Sequence, residues 1–362
     1  METKRTKIDS PFFSVCIPQY NRTHFLIEAC KVLSQQTFKD FEVCIADDRS
    51  TDKRERELID YLEGSGLSFW YKKNRENLRY DGNLRASISM ASGKFCFLHG
   101  NDDCLASSSM LEELSEALKG YEAAGVVITN YEDYRSGAKA RRVQKTRLVG
   151  SGPEVAASHF RNLSFVSGVL IDRPKAQAYS TDRWDGSEMY QMYMASRIVA
   201  GGSNLLELDI YTILKDIQIP NEAVDSYATK PKIKGFSIAE RKIPLSMICR
   251  LVADAINPYL RKRTGRRILE WVVLQIYLFT YPFWIIEYRR VQSWPYALGI
   301  CIGMRPENVF LGLNIGLLST IRLYCLYLSV TITGLVMPIS FFKALQSRLH
   351  YIAKSMGSRG DK

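Results

Sequence analysis

The first 130 residues alternate short apolar runs with amphipathic ones, and that alternation leaves few architectures open. Strands read as FFSVCI (12–17), FEVCIA (41–46), LSFWYKK (67–73), KFCFLH (94–99) and AGVVITN (124–130). Between them helices are expected over 24–36, 52–64, 83–92 and 107–119, the second ending at Gly64 and the third closed by Gly93. Such a pattern predicts an α/β fold, a doubly wound and mostly parallel sheet with helices on both faces. It breaks at 131–152, a basic, polar, glycine-punctuated stretch expected to form a surface loop or mobile flap. Helices are expected again at 153–161 and 186–200, with a strand FVSGVLI (165–171) between them.

After about residue 245 the composition shifts, which predicts two domains, 1–245 and a helical 246–362. The basic cluster RKRTGRR (261–267) precedes an apolar stretch, 268–288, that is long enough to cross a bilayer. That stretch carries Glu270, Gln275, Pro282 and Glu287, with Arg289 and Arg290 after it. Residues 309–342 hold only Arg322 as a charged interruption, with Arg305 before and Lys343 and Arg348 after. Positive charge prefers the cytoplasmic side, so a single crossing would strand one basic cluster. The second region is also too short for two spans of about 20 residues each. Helices lying in the interface, with basic side chains on anionic head groups, satisfy both facts. One or two true spans are the alternative.

The formal charge of +11 calls for an anionic partner: nucleic acid, nucleotide phosphates or an acidic membrane. Much of the basic clustering borders the apolar tail, which disfavours nucleic acid. The eight cysteines form no CxxC pair and the four histidines are scattered, so no sulfur or nitrogen metal site is expected. Cys16, Cys44 and Cys96 lie within strand-like runs, as buried thiols of a reducing compartment do. METKRTKIDS lacks the apolar core of a secretory signal.

In an open α/β sheet the ligand crevice lies beyond the carboxyl ends of the strands. Those ends here read PQYNR (18–22), DDRSTD (47–52) and GNDD (100–103), so Asp47, Asp48, Asp102 and Asp103 are expected to line one crevice. Such hard oxygen donors suit Mg²⁺ or Mn²⁺, which complete their shells with phosphate and water. A carboxylate pair after a strand is also an ordinary turn and helix start, with Asp103 as the cap.

Taken together, FFSVCIPQYNR, SQQTFKDFEVCIADDRSTD and NLRYDGNLRASISMASGKFCFLHGNDDCL resemble the N-terminal half of the family 2 glycosyltransferases, which share the GT-A fold. The likeness is strong over about 12–130 and looser over 131–210. It implies that Pro18, Tyr20 and Asn21 pack around a nucleotide base, with Asp48 aimed at that base. Asn77 and Asn83 would flank the pocket, and Arg85 would reach a phosphate. Asp102 and Asp103 match the end of the family's D-x-D metal motif, Asp102 facing ribose or sugar and Asp103 binding the ion. Gly100 stands at the first motif position, a departure. The family's base falls in an "ED" motif, and its place here is taken by Tyr190 and Gln191. Glu188 is then the expected general base, with Asp185 next, although a carboxylate at a helix start is also ordinary. Trp184, Met189, Tyr190, Met192 and Tyr193 surround that helix start, where they are expected to pack in the core, with stacking on a sugar ring as the alternative.

The resemblance therefore implies an inverting hexosyl- or deoxyhexosyltransferase. It would move sugar from a nucleotide-diphosphate sugar to a lipid-linked saccharide acceptor at the cytoplasmic face of the bacterial inner membrane. GNDD and the C-terminal extension are similar to the abequosyltransferase-like branch, which works in surface polysaccharide synthesis. Two rivals stand beside this reading. A nucleotidyltransferase would show a glycine-rich phosphate loop after the first strand, which IPQYNR lacks. A catalytically silent nucleotide-binding scaffold would account for Gly100 and Gln191.

Overall fold

The computed structural model describes residues 3–5, 10–220, 243–261, 264–291, 294–342 and 344. Its internal contacts separate two units, residues 1–151 with 162–226 and residues 152–161 with 227–362. The cut expected at residue 245 thus falls earlier, and 152–161 goes with the C-terminal unit.

The first unit is one sheet of eleven strands. These are β1 (Thr3–Arg5), β2 (Phe13–Gln19), β3 (Phe41–Asp47), β4 (Phe69–Lys73), β5 (Phe95–Leu98) and β6 (Cys104–Leu105), then β7 (Ala124–Asp133), β8 (Lys139–Ala140), β9 (Arg147–Gly150), β10 (Val169–Asp172) and β11 (Asn204–Lys215). Their order is β1-β4-β3-β2-β5-β10-β7-β11-β6, with β8 beside β7 and β9 beside β11. The β4-β3-β2-β5 half is parallel as expected. Beyond it the sheet is mixed, because β10 enters antiparallel between β5 and β7. Every residue of β3 is buried, as continuous apolar strands covered by helices on both faces require. Those helices include α1 (Thr23–Ser34), α2 (Glu55–Gly64), α3 (Arg79–Met90) and α4 (Met110–Ala117). α5 (Pro153–His159) lies in the second unit, and α6 (Arg173–Ala178) and α7 (Tyr190–Ala200) return to the first.

Chain order outward from β2 runs one way to β3 and the other way to β5, so β2 marks a topological switch point. The strand ends of β3, β2 and β5 named in the sequence meet there. The stretch 131–152 is not the free flap its composition suggested. It carries β8 and β9, and its half-buried Arg142 donates to the carbonyls of Thr129 (2.8 Å), Phe165 (2.7 Å) and Ser167 (2.8 Å). Burial lowers that guanidinium to about 10, and the planar fork is satisfied by carbonyls of three separate positions.

The second unit is helical. After α8 (Pro244–Ile256), the apolar stretch read at 268–288 breaks at Thr280 into α9 (Gly265–Phe279) and α10 (Tyr281–Val291), with Pro282 in the first turn of α10. Then follow α11 (Trp294–Gly303), α12 (Pro306–Val309) and α13 (Leu317–Val336). α5 joins this unit through the buried Gln275 side chain, whose Nε2 donates to the Ala157 carbonyl at 2.7 Å. Among the described residues two segments are long and apolar enough to cross a membrane: 265–290, half buried, and α13, only 11% buried. One side of α13 is pinned. Tyr327 donates to the Cys301 carbonyl (2.9 Å), and Arg289 donates to the carbonyls of Gly334 and Met337 (2.8 Å each). The other side leaves Leu318 80% exposed and Leu317, Ile321, Leu328, Ile332 and Val336 more than half exposed. Lys262, Arg263, Lys343 and Arg348 lie outside the described residues.

Candidate active site

Three strand ends build the site. After β2 the chain turns through Asn21 and Arg22, both with positive φ (53° and 56°), before α1. Asn21 anchors the neighbouring loop: its Oδ1 accepts from the Thr51 N–H at 2.6 Å, and its own N–H donates to Ser50 Oγ at 2.8 Å. Tyr20 is 46% exposed at the strand end, an open aromatic face of the kind a base stacks on. Pro18 stays inside β2, paired with Ala46.

Asp48 follows β3 and is buried. Its Oδ1 accepts from the Leu78 N–H (2.6 Å) and from Asn74 Nδ2 (3.1 Å), while its carbonyl accepts from Asn77 Nδ2 (3.1 Å). Asn83 bridges onward, accepting from Asn74 and donating to the Gln19 carbonyl at 3.0 Å. Asn77 and Asn83 therefore build the wall that fixes Asp48. Gln19 links this wall to the next strand end, since its Nε2 donates to the Asn21 carbonyl (2.7 Å) and its Oε1 accepts from Asn101 (2.8 Å).

Asp102 and Asp103 follow β5 and are both buried. Asp103 Oδ2 accepts from Ser167 Oγ, and Oδ1 accepts from the Asp216 N–H at 3.0 Å. Asp216 was not singled out in the sequence. It arrives because β6, just past the aspartate pair, pairs with the end of β11 (Leu105 with Ile213, Cys104 with Leu214). The Ile217 N–H then donates to the Asp102 carbonyl at 2.9 Å. Asp102, Asp103 and Asp216 each offer one oxygen, and these lie within 4.8 Å of one another. Burial, then the charge of Asp102, lifts the Asp103 carboxyl from 3.8 to about 7. Two cations sit among these carboxylates, Arg22 against Asp102 and Lys215 against Asp216.

The absent first aspartate of the motif has a steric reason. A Cβ on Gly100 would come within 2.7 Å of Asp103 Oδ2, 3.3 Å of Asp102 Oδ1 and 3.2 Å of Ser167 Oγ. Glycine leaves open a cradle lined by two carboxylates and the Ser167 hydroxyl, and the all-oxygen donor set of Asp102, Asp103 and Asp216 fits Mg²⁺ or Mn²⁺. Beneath it, buried His99 donates from Nδ1 to the Gly100 carbonyl at 2.7 Å, and burial lowers its pKa to about 4.

The expected base candidates lie on the turn before α7, which begins at Tyr190 rather than 186. Buried Asp81 of α3 shapes that turn, accepting from the N–H groups of Gly186, Glu188 and Tyr190, each at 2.9 Å. Burial raises the Asp81 carboxyl and these three donors oppose the rise. Asp185 is held in a two-pronged pair with Arg85, at 2.6 and 2.8 Å. That pair engages both residues, the proposed second base and the proposed phosphate contact. Glu188 is exposed, with φ 57°, ahead of the helix. Gln191 is buried, accepting from the Tyr80 hydroxyl at 3.2 Å. Tyr190, Met192 and Tyr193 are core residues, not an open stacking platform.

Residues 14–171 match the model of glycosyl transferase family 2. This stretch is a family 2 glycosyltransferase domain. Abequosyltransferase RfbV of Salmonella typhimurium is 38% identical over 99 residues, 27% of this chain and 30% of that protein. The GalNAc(5)-diNAcBac-PP-undecaprenol beta-1,3-glucosyltransferase of Campylobacter jejuni is 28% identical over 111 residues, 31% of this chain and 36% of that protein. The chain thus spans about a third of the length of each of these relatives. Among solved structures, S. aureus TarS 1-349 with UDP superposes with a TM-score of 0.58 at 15% identity, over 89% of this chain and 90% of that one. Mannosyltransferase PcManGT from Pyrobaculum calidifontis, with GDP-Man and Mn²⁺, gives 0.52 at 14% identity, over 99% and 90%. At such identities these neighbours establish the GT-A fold of the glycosyltransferase domain.

Proposed function

We propose that the protein is an inverting, metal-dependent glycosyltransferase. It takes a nucleoside-diphosphate sugar as donor and a saccharide on a lipid as acceptor, in the synthesis of a bacterial surface polysaccharide. The observation that carries this reading is the meeting of Asp102 and Asp103, in the stretch that matches family 2, with Asp216 beside the Asp48 wall. Tyr20 and Asp48 face the base, and Asp102 lies toward the ribose and sugar. Asp102, Asp103 and Asp216 would hold Mg²⁺ or Mn²⁺, which would supply neutralising charge to the departing diphosphate. The acceptor hydroxyl attacks the anomeric carbon opposite that leaving group and gives its proton to Glu188. Asp185, already paired with Arg85, is the poorer base.

The relatives support the acceptor class, since one is named for a PP-undecaprenol substrate. The apolar side of α13 supports work at a membrane. It exposes Leu317 and Leu318 beside the exposed side chains of Arg266, Arg267 and Arg322, a pairing suited to anionic lipid. Its other side is pinned on its own unit, so an interfacial helix at the cytoplasmic face of the inner membrane fits better than a span. A thermal-shift panel of UDP-, GDP-, CDP- and dTDP-sugars, with and without Mn²⁺, tests the donor class. One sugar is expected to stabilise the protein, more so with Mn²⁺. Indifference to all four nucleotides and to the ion defeats the proposal. Glu188→Gln is expected to lower kcat about 10²-fold with donor binding retained. If Glu188→Gln transfers at the parent rate, the base lies elsewhere.

A further inference from the structure

The cations lodged in the carboxylate cluster suggest how donor and ion depend on each other. Arg22 leads into α1 in a left-handed conformation and reaches across to Asp102, with its side chain 26% exposed. Lys215 ends β11 and turns onto Asp216, with its side chain 15% exposed. Asp102 and Asp216 are thus each paired with a cation of the chain's own, whereas Asp103 accepts from the Ser167 hydroxyl and the Asp216 N–H. A divalent ion drawn to the three carboxylates competes with Arg22 for Asp102 and with Lys215 for Asp216. Two partly buried positive groups released in this way are costly unless new negative charge arrives beside them. A diphosphate supplies that charge.

We propose that Arg22 and Lys215 are handed from the carboxylates to the donor's diphosphate as the divalent ion takes their place, so that ion and diphosphate each bind well only with the other. This rests on the glycosyltransferase reading above and adds a direction to it. The carboxylates bind the chain's own cations at rest and a metal only when a diphosphate accepts those cations. The coupling is reciprocal by necessity, so the factor by which diphosphate tightens Mn²⁺ equals the factor by which Mn²⁺ tightens diphosphate.

The full chain is titrated with Mn²⁺ alone and with Mn²⁺ in the presence of UDP or GDP, free ion being read by electron paramagnetic resonance. The parent protein is expected to bind Mn²⁺ weakly alone and about 5- to 150-fold more tightly with one of the diphosphates, the usual span of such couplings. Arg22→Gln is expected to bind Mn²⁺ alone about tenfold more tightly, because Asp102 is freed, while the tightening by diphosphate shrinks toward none. Lys215→Met should move both quantities the same way by a smaller factor, which guards against a folding defect at the Arg22 turn. Arg56→Gln, on a side chain 93% exposed on α2, removes a positive charge elsewhere and should move neither. If Arg22→Gln leaves Mn²⁺ affinity unchanged or weaker, or tightens it with the diphosphate effect intact, the hand-over is wrong while the metal site stands. Should the parent protein bind no Mn²⁺ with or without diphosphate, the metal reading fails and the hand-over fails with it.

Discussion

The two units break opposite rules of folding. The first buries charge, with Asp81 on α3 and Asp48, Asp102, Asp103 and Asp216 beyond strand ends all within the interior. The last long helix of the second exposes oil, with Leu318 80% and Val336 70% open. Each departure costs stability: buried carboxylates lose hydration, and exposed leucines order water. Arg22, Lys215 and hydrogen bonds offset part of the first cost within its own unit, and a partner of the right chemistry would remove the rest, a cation in one case and a lipid surface in the other. The contrast teaches that a broken rule names its ligand: the sign and polarity of the exposed or buried group say what is expected to cover it.

The largest test of this contrast is at Asp103. Asp103→Asn is expected to lower sugar transfer by roughly 10²–10³-fold, the usual loss when a preorganised charge-stabilising contact goes. It should also abolish the part of thermal stabilisation that needs Mn²⁺, with nucleotide binding through Asp48 partly kept. Retained metal dependence would mean the buried charge of the first unit serves something other than an ion. The second test is at α13. Replacing Leu318, Ile321, Leu328 and Ile332 together by Gln removes apolar side chains each contributing about 1.5–3 kcal/mol when fully buried. Vesicle binding should fall by at least ~100-fold on partial insertion, with the fold and soluble-donor binding unchanged. Co-sedimentation with anionic and neutral vesicles reads the effect. Unchanged binding would assign the exposed face to a second protein surface.

The fold was legible because its strands are nearly continuous apolar runs: FEVCIA and KFCFLH admit no other reading once helices alternate with them. The aspartates at their ends were legible for the same reason, since a polar cluster that follows a buried strand must surface at the sheet's carboxyl edge. Asp216 was missed although LLELDIYTILKD carries the same signature, because the strand 204–215 was not read and its pairing with two-residue β6 is a long-range event. Arg142 was misread for a related reason. A basic loop looks solvated until the carbonyls of Thr129, Phe165 and Ser167 are known to converge on one guanidinium. The Arg85–Asp185 pair joins residues a hundred positions apart, and each was assigned a separate task before that pairing was visible.

Gly100 offers a sharper and smaller test. Restoring the family's first aspartate looks like a repair, yet the added Cβ would press on Asp103 Oδ2 at 2.7 Å. Gly100→Asp is therefore expected to weaken Mn²⁺ binding about tenfold, as an overpacking strain of one to two kcal/mol would. If it strengthens binding instead, the cradle is roomier than the strand-end geometry implies, and the three-carboxylate arrangement is one of several.

The smallest effect separates the stability cost of buried charge from its use. The Asp103 carboxyl has a folded-state pKa near 7 against an ordinary 3.8, so the native protein holds this proton where the unfolded chain has released it. A group raised in this way stabilises the fold fully below the unfolded value, and that stability is lost as pH rises toward the folded one. In metal-free protein the parent's melting temperature should therefore fall relative to Asp103→Asn between about pH 4 and pH 7 and run parallel to it above. The gap should be on the order of a few kcal/mol at most, since the trio's own cations screen part of it. Saturating Mn²⁺ with diphosphate should close the gap for the parent alone, because the ion replaces the proton that Asp103 gives up. A parent protein that gains on the variant with rising pH would mean that Arg22 and Lys215 already satisfy all three carboxylates. The charge in the first unit would then be settled internally, and only the apolar face of the second would still call for a partner.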